Sequence, residues 1–312
     1  MLSREQLFKM LECPKGQIDM VLDTDTFNEI DDQYAISYAV HSQEKIRVQA
    51  FYAAPFTNER SSGPADGMEK SFHEIHKVLR LANKDFYPVF RGSTSYLPDE
   101  KTPVDSEAMR DLTERAMTYT PDRPLYVVSI AAITNIASAL LVKPEIADRI
   151  VIVWLGCHAP HWEDNFEFNC RQDVAAARVV FDSGAPLVIL PAQGIVSNFS
   201  TTGPELEYWL RGKSPLCDYL IDRTIKAAEE YAKGKVWSRT IWDVTGIGWL
   251  MNDEHKQLMR DKIVPRPIPE YDHHLSWDFR RTPCKMVYHI IRDGLFQDLF
   301  SHIAPKDQSD NI

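Results

Sequence analysis

The run Ile18-Asp19-Met20-Val21-Leu22 is followed at once by Asp23-Thr24-Asp25-Thr26-Phe27-Asn28-Glu29-Ile30-Asp31-Asp32, and this junction restricts the chain more than any other stretch. The apolar run reads as a buried strand. Aspartates crowded at its end repel one another and hold each other's protons unless a cation or a ring of donors neutralises them. Oxygen donors without thiolates suit a hard ion such as Ca2+ or Mg2+, so the segment predicts a metal site. Behind it Ile30, Ala35, Ile36, Ala39 and Val40 recur at helical spacing, which predicts a helix with Asp31 and Asp32 in its first turn. Strand, loop, helix is the unit of an open α/β sheet, where ligands lie beyond the carboxyl ends of the strands and a helix N-terminus favours negative groups. A turn and a helix cap would use one or two of these aspartates, and the segment holds more than that.

Further apolar segments, 48–53, 125–129, 150–155 and 187–190, alternate with helical patterns at 68–82, 105–118, 133–141 and 174–181. Such alternation predicts an open, mainly parallel, Rossmann-like α/β sheet flanked by helices. From Pro204 to Lys233 the pattern is entirely helical, and Val264-Pro265-Arg266-Pro267-Ile268-Pro269 reads as an extended connector because alternating prolines forbid a helix. With 312 residues, 44% of them hydrophobic, the chain is long enough for one large domain. We expect that domain over 1–304, with helical cap elements at about 204–280 and a flexible polar tail over 305–312.

Composition narrows the partners. A formal charge of −10 with no basic stripe argues against nucleic acid. No run of eighteen apolar residues predicts a membrane span, and the start lacks the basic-then-apolar order of a secretory signal, so a cytoplasmic protein is expected. Five cysteines, odd in number and without a CxxC pair, predict packed thiols rather than disulfides or a zinc site. A small-molecule ligand fits best.

Several other strand ends carry polar residues. Asn58 follows 51–53, although an asparagine in a loop is usually a turn residue. Thr134 and Asn135 follow 125–129, among small residues that let backbone carbonyls approach a ligand; capping the next helix explains them equally well. In Glu167-Phe168-Asn169, alternation puts a carboxylate and an amide on one side, a pairing able to hydrogen-bond vicinal hydroxyls of a sugar, the alternative being a solvated loop. Asp243, in Ile241-Trp242-Asp243-Val244, is an aspartate among apolar residues and needs a partner, either a helix terminus or the metal.

Together these residues resemble the nucleoside hydrolases of the inosine-uridine-preferring type, whose hallmark is a strand-end DTDPGxDD sequence. The resemblance runs from about Ile18 to Phe300. It rests on Asp23-Thr24-Asp25, Asp31-Asp32, Ala132-Ile133-Thr134-Asn135-Ile136-Ala137, which is similar to an LTNIA stretch, and Glu167-Phe168-Asn169, which matches EFN. It implies a nucleoside hydrolase fold and Ca2+-dependent cleavage of the N-glycosidic bond of ribonucleosides or related N-ribosides, giving ribose and base. By position it implies Asp25, Asp32, Asp243 and the Thr134 carbonyl as metal ligands, with Asp25 as general base. Asp31, Glu167 and Asn169 would hold ribose, Asp23 would support the loop, and Asn58 would lie near ribose or base. A homodimer or homotetramer is also implied.

Two departures stand out. The loop from Asp25 to Asp31 is two residues longer than the DPGxD interval and lacks its Pro-Gly, so Asn28 or Glu29 can enter the pocket. The His-Asp pair of the family reads Trp242-Asp243 here, removing the usual leaving-group acid while offering an indole to stack on a base. His274, with His273, in a connector taken as a substrate-facing lid is the first replacement, and His158 and His161 are others. Two rival functions follow. A haloacid-dehalogenase-like phosphatase shares the DxDxT start of Asp23-Thr24-Asp25-Thr26 but needs a downstream GDxxxD, and the chain has no Gly-Asp. A non-catalytic nucleoside or ribose binder would follow from the missing acid.

Overall fold

A computed structural model describes residues 2–253 and 255–304. Among these residues twelve strands form in chain order: β1 (Ile18–Thr24), β2 (Ile46–Ala53), β3 (Val89–Arg91), β4 (Leu125–Ser129), β5 (Ile150–Leu155), β6 (Leu187–Leu190), β7 (Ser200–Thr201), β8 (Arg239–Thr240), β9 (Met259–Val264), β10 (Pro267–Pro269), β11 (Leu275–Trp277) and β12 (Cys284–Ile290). Eight of them make one sheet in the order β3-β2-β1-β4-β5-β6-β12-β9, parallel throughout except where β9 runs against β12. The remaining strands form two ribbons, β7 with β8 and β10 with β11.

Period-two alternation along β1 divides the core. Met20 and Leu22 pack on one face with Tyr34, Ile36, Ile75 and Trp249, which come from the helices Asp32–His41, Pro64–Leu81 and Val244–Met251. Val21 points to the other face and joins Leu112, Ile136 and Val180 from the helices Glu107–Ala116, Thr134–Val142 and Val174–Asp182. With helices on both faces, the central strands are buried from water on both sides, which is why they are nearly continuous apolar runs.

The chain leaves β1 toward β2 on one side and resumes at β4 on the other, so the strand order reverses at β1. A crevice opens at such a reversal, beyond the carboxyl ends of the two strands. The acidic loop leaves β1 there, and 130–133 leave β4 beside it. The predicted strands and helices all form, with β1 extended through Thr24 and the helix expected at 68–82 starting earlier, at Pro64. Strands β3, β9 and β12 of the main sheet were not expected, nor were β7, β8 and β11 of the ribbons, and β9 joins the main sheet from within the stretch of about 204–280 where helical cap elements were expected. The edge strand β9 is Met-Arg-Asp-Lys-Ile-Val, whose charges protect an open edge from pairing with another chain and hide the strand from a hydrophobicity reading. The proline connector is extended as expected, and Pro267–Pro269 pairs with β11 in a ribbon where missing N–H groups are tolerated. Among the described residues no helix is long and apolar enough to cross a membrane. All five cysteines are free thiols, four of them buried. The tail expected at 305–312 lies outside the described residues.

Candidate active site

Asp31, Asp32 and Asp243 each bring a carboxylate oxygen to within 4.8 Å of the others. Asp31 and Asp243 stand at the N-cap positions of Asp32–His41 and Val244–Met251, yet neither side chain accepts a capping hydrogen bond. Capping therefore does not explain them. Among the described residues, Oδ2 of Asp25, Oδ1 of Asp31 and Oδ2 of Asp32 are buried without a hydrogen-bond partner, while the other oxygen of Asp32 accepts from the Thr24 hydroxyl. Burial, and then the charge of Asp31, push the Asp32 carboxyl up to about 8. Burial followed by the charges of Asp32 and Asp31 raises Asp25 well above the usual carboxylate range, and burial followed by Asp31 and Asp32 does the same to Asp243. Carboxylates held like this lack a positive counterpart. A hard divalent cation fits: it would satisfy the orphaned oxygens and cancel the repulsion, assisted by two helix N-termini. Asp25 is outside the closest trio but couples electrostatically to Asp32 and Asp31.

A scaffold of neutral donors holds this cluster. Asp23 is fully buried; it accepts from Asn135 Nδ2 at 2.8 Å and Ser129 Oγ at 3.0 Å, and burial pushes it up to about 7. The Oδ1 atom of Asn135 in turn accepts from the backbone N–H of Ser93 at 2.7 Å and from its hydroxyl at 2.8 Å. Asp23 thus ties β1 to β4 and to the turn after β3. The Thr134 hydroxyl donates to Asp173 Oδ2 at 2.7 Å, and Asp173 Oδ1 accepts from Ala176 N at 2.9 Å as the cap of Val174–Asp182. Its side chain serves the scaffold, which leaves the Thr134 backbone carbonyl as the group named by the resemblance.

A cavity of about 270 Å3 opens beside the cluster, lined by Asp31, Asp243, Trp242, Glu167, Asn169 and His158 among others. Glu167 is not in a solvated loop. It is buried, its oxygens accept from the backbone N–H groups of Cys157 (3.1 Å), Asn169 (2.9 Å) and Cys170 (2.7 Å), and burial pushes its carboxyl up to about 7. Asn169 spends its amide N–H on the Leu155 carbonyl at 3.0 Å. Among the described residues its Oδ1 has no partner. The lengthened loop does reach the cavity: Asn28 and Glu29 both line it. Glu29 is held by an ion pair with Arg239 of β8, and Asn28 Oδ1 accepts from Asn58 Nδ2 at 2.6 Å. Asn58 therefore buttresses the cavity from behind its wall.

His274 is exposed and outside the cavity lining, its ring turned toward the Asp272 carbonyl at 3.1 Å. His273 packs edge-on against Phe166, with ring centroids 4.8 Å apart, so the connector does meet the cavity rim. His158, by contrast, lines the cavity and is 8% exposed. Ala192 and Gln193, in the turn after β6, also line it and were not singled out. The rule that located the other loops would have found them, because they too follow the carboxyl end of a parallel strand. Arg171, stacked over Phe166 at 4.6 Å and Phe168 at 5.2 Å, was missed as well, since the residues that flank EFN carry no periodic signal.

A buried carboxylate cluster at a strand-order reversal, opening on a cavity with an aromatic wall, is suited to a divalent cation and a small ligand. A sequence model of the inosine-uridine preferring nucleoside hydrolases matches residues 20–267. The chain belongs to that family, which consists of N-glycosyl hydrolases. It is similar to the pyrimidine-specific ribonucleoside hydrolase RihA of Enterobacter sp. (strain 638), with 24% identity over 212 residues, covering 60% of this chain and 67% of the relative. It is also similar to the inosine-uridine preferring nucleoside hydrolase of Leishmania major, with 33% identity over 95 residues, covering 29% of this chain and 30% of that one. Its fold matches the purine-preferring ribonucleoside hydrolase of Gardnerella vaginalis at a TM-score of 0.75 and 20% identity, covering 91% of this chain and 98% of the other. Family membership removes the phosphatase alternative. The burial of Asp23 agrees, since a fully enclosed carboxylate already bonded to Asn135 and Ser129 cannot serve as the nucleophile that reading requires.

Proposed function

We propose that this protein hydrolyses the N-glycosidic bond of a ribonucleoside or a related N-riboside, with Ca2+ as its cation. One observation carries the reading: Asp31, Asp32 and Asp243 converge without capping hydrogen bonds beside a cavity that also holds Asn169 and Trp242. The cation would be held by Asp25, Asp32, Asp243 and the Thr134 carbonyl. When bound, it neutralises the cluster and makes a water and the ribose diol more acidic.

The chain's own residues supply the rest. The unpartnered Oδ2 of Asp25 takes the proton of the attacking water. Asp31 and the free Oδ1 of Asn169 accept from ribose hydroxyls, Glu167 fixes the turn that aims Asn169, and Asn58 holds Asn28 at the wall. As the bond to C1′ lengthens the sugar gains positive charge, which the neighbouring carboxylates stabilise. Trp242 offers an aromatic face for the base. The same reading carries a homodimer or homotetramer in the cytoplasm, in line with the family resemblance.

The test is release of reducing sugar from purine and pyrimidine ribonucleosides with Ca2+ present. Release that chelator and Asp25→Ala both abolish supports the hydrolase. Trp242 in place of an acid favours one second reading, a nucleoside binder without turnover, and calcium-dependent binding with no ribose formed would establish it instead.

A further inference from the structure

The turn after β6 pins the ring of His158. The backbone N–H of Gln193 donates to His158 Nδ1 at 3.3 Å, and the Gln193 carbonyl accepts from Ala159 N at 3.0 Å. On the other side, His158 N donates to Asn165 Oδ1 at 2.8 Å. The two segments run this close because residue 194 is glycine: its φ is +87°, and a Cβ there would stand 2.8 Å from Ala159 Cβ and 2.9 Å from His161 Nε2. An N–H pointed at Nδ1 requires that nitrogen to be bare, so the ring proton resides on Nε2. Among the described residues Nε2 has no hydrogen-bond partner. Burial lowers the ring's affinity for a second proton, which keeps the neutral tautomer.

Resting on the hydrolase reading above, we propose that His158 does the work of the missing leaving-group acid, its Nε2–H donating a hydrogen bond to the base as the glycosidic bond breaks. The water oxygen bonds to C1′ and its proton passes to Asp25. The C1′–N electron pair goes to the base, whose developing negative charge the Nε2–H stabilises, and solvent supplies the proton that completes the free base. Of the cavity's aromatic walls, Trp242 can stack on the base, and His158 presents a fixed donor for it.

The calcium-loaded wild type, His158→Leu and His158→Gln are compared on ribonucleosides and on p-nitrophenyl β-D-ribofuranoside, whose p-nitrophenolate departs as a stable anion needing no donor. For His158→Leu we expect kcat on nucleosides to fall by about 100-fold or more with little change in KM, while p-nitrophenolate release changes by less than about threefold. His158→Gln, whose amide can accept from Gln193 and still donate, retains about a tenth of the nucleoside activity or more. Retained p-nitrophenyl activity also reports that the variant is folded. Equal losses on both substrates, or no loss on nucleosides, would each overturn the assignment of His158 and leave the hydrolase standing, whereas a wild type that cleaves only the p-nitrophenyl riboside would overturn the nucleoside-hydrolase reading as well. A wild type that cleaves neither substrate overturns the hydrolase reading and this inference together.

Discussion

Removing the cation should make stability fall as pH rises, because the Asp32 carboxyl titrates at about 8 in the folded chain against 3.8 as its ordinary value. The folded metal-free protein then holds a proton between those limits that the unfolded chain has lost. The contribution of this group to stability is fully present below pH 4 and is lost as pH rises through 8. From pH 5 to pH 8 the difference in bound protons integrates to about 4 kcal/mol for this one group at 1.36 kcal/mol per unit. Asp25 and Asp243 are raised too and act in the same direction. With an unfolding entropy of about 2.1 cal/mol/K per residue, a chain of 312 residues loses about 6 °C of Tm over that interval. Calcium should abolish this slope, since a bound cation keeps the carboxylates ionised at both pH values, and at a hundredfold excess over Kd it adds about 2.7 kcal/mol. Thermal unfolding at pH 5, 6, 7 and 8, in chelator and in calcium, reads both effects. A chelated protein equally stable at pH 5 and pH 8, with a Tm that calcium does not move, would refute the idea that these carboxylates await a cation.

Other outcomes follow from the same geometry. Thr24→Val removes the hydroxyl that orients Asp32 and should weaken calcium binding by about 10-fold or more, as titration calorimetry would show, with the fold intact by circular dichroism. Glu167→Gln points an amide N–H2 at backbone donors the carboxylate now satisfies, which should cost about 2 kcal/mol in denaturant unfolding and raise KM; unchanged values of both would show that the three N–H contacts are dispensable. Asn135→Leu leaves the buried Asp23 carboxyl and Ser93 without their partner, and a loss under about 1 kcal/mol would contradict the role given to this bridge.

Most of the sheet was legible because strands buried on both faces must be apolar throughout, as Ile150–Leu155 and Leu187–Leu190 are. Edge strands obey no such demand. Strand β9 mixes Arg260, Asp261 and Lys262 with apolar residues and shows no run to read. The acidic loop was legible for a different reason: carboxylates packed behind a buried strand contradict ordinary folding preferences, and such conflict marks a site. The extra length of the loop was visible in the sequence, but the anchoring of Glu29 by Arg239 and of Asn28 by Asn58 depends on contacts between segments remote in sequence.

Taken alone, the order of residues determined the alternating α/β pattern, the acidic strand end and the family motifs, because burial and local spacing act along the chain. Tertiary structure decided which polar groups meet. It brought Asp243 to Asp31 and Asp32, turned Glu167 inward onto three backbone N–H groups, left His274 in solvent and set His158 in the cavity wall. Hydrogen bonds and charges act over a few ångströms of space, so a histidine's chemistry depends on the turn that packs against it, and for His158 that turn lies 35 residues further along the chain.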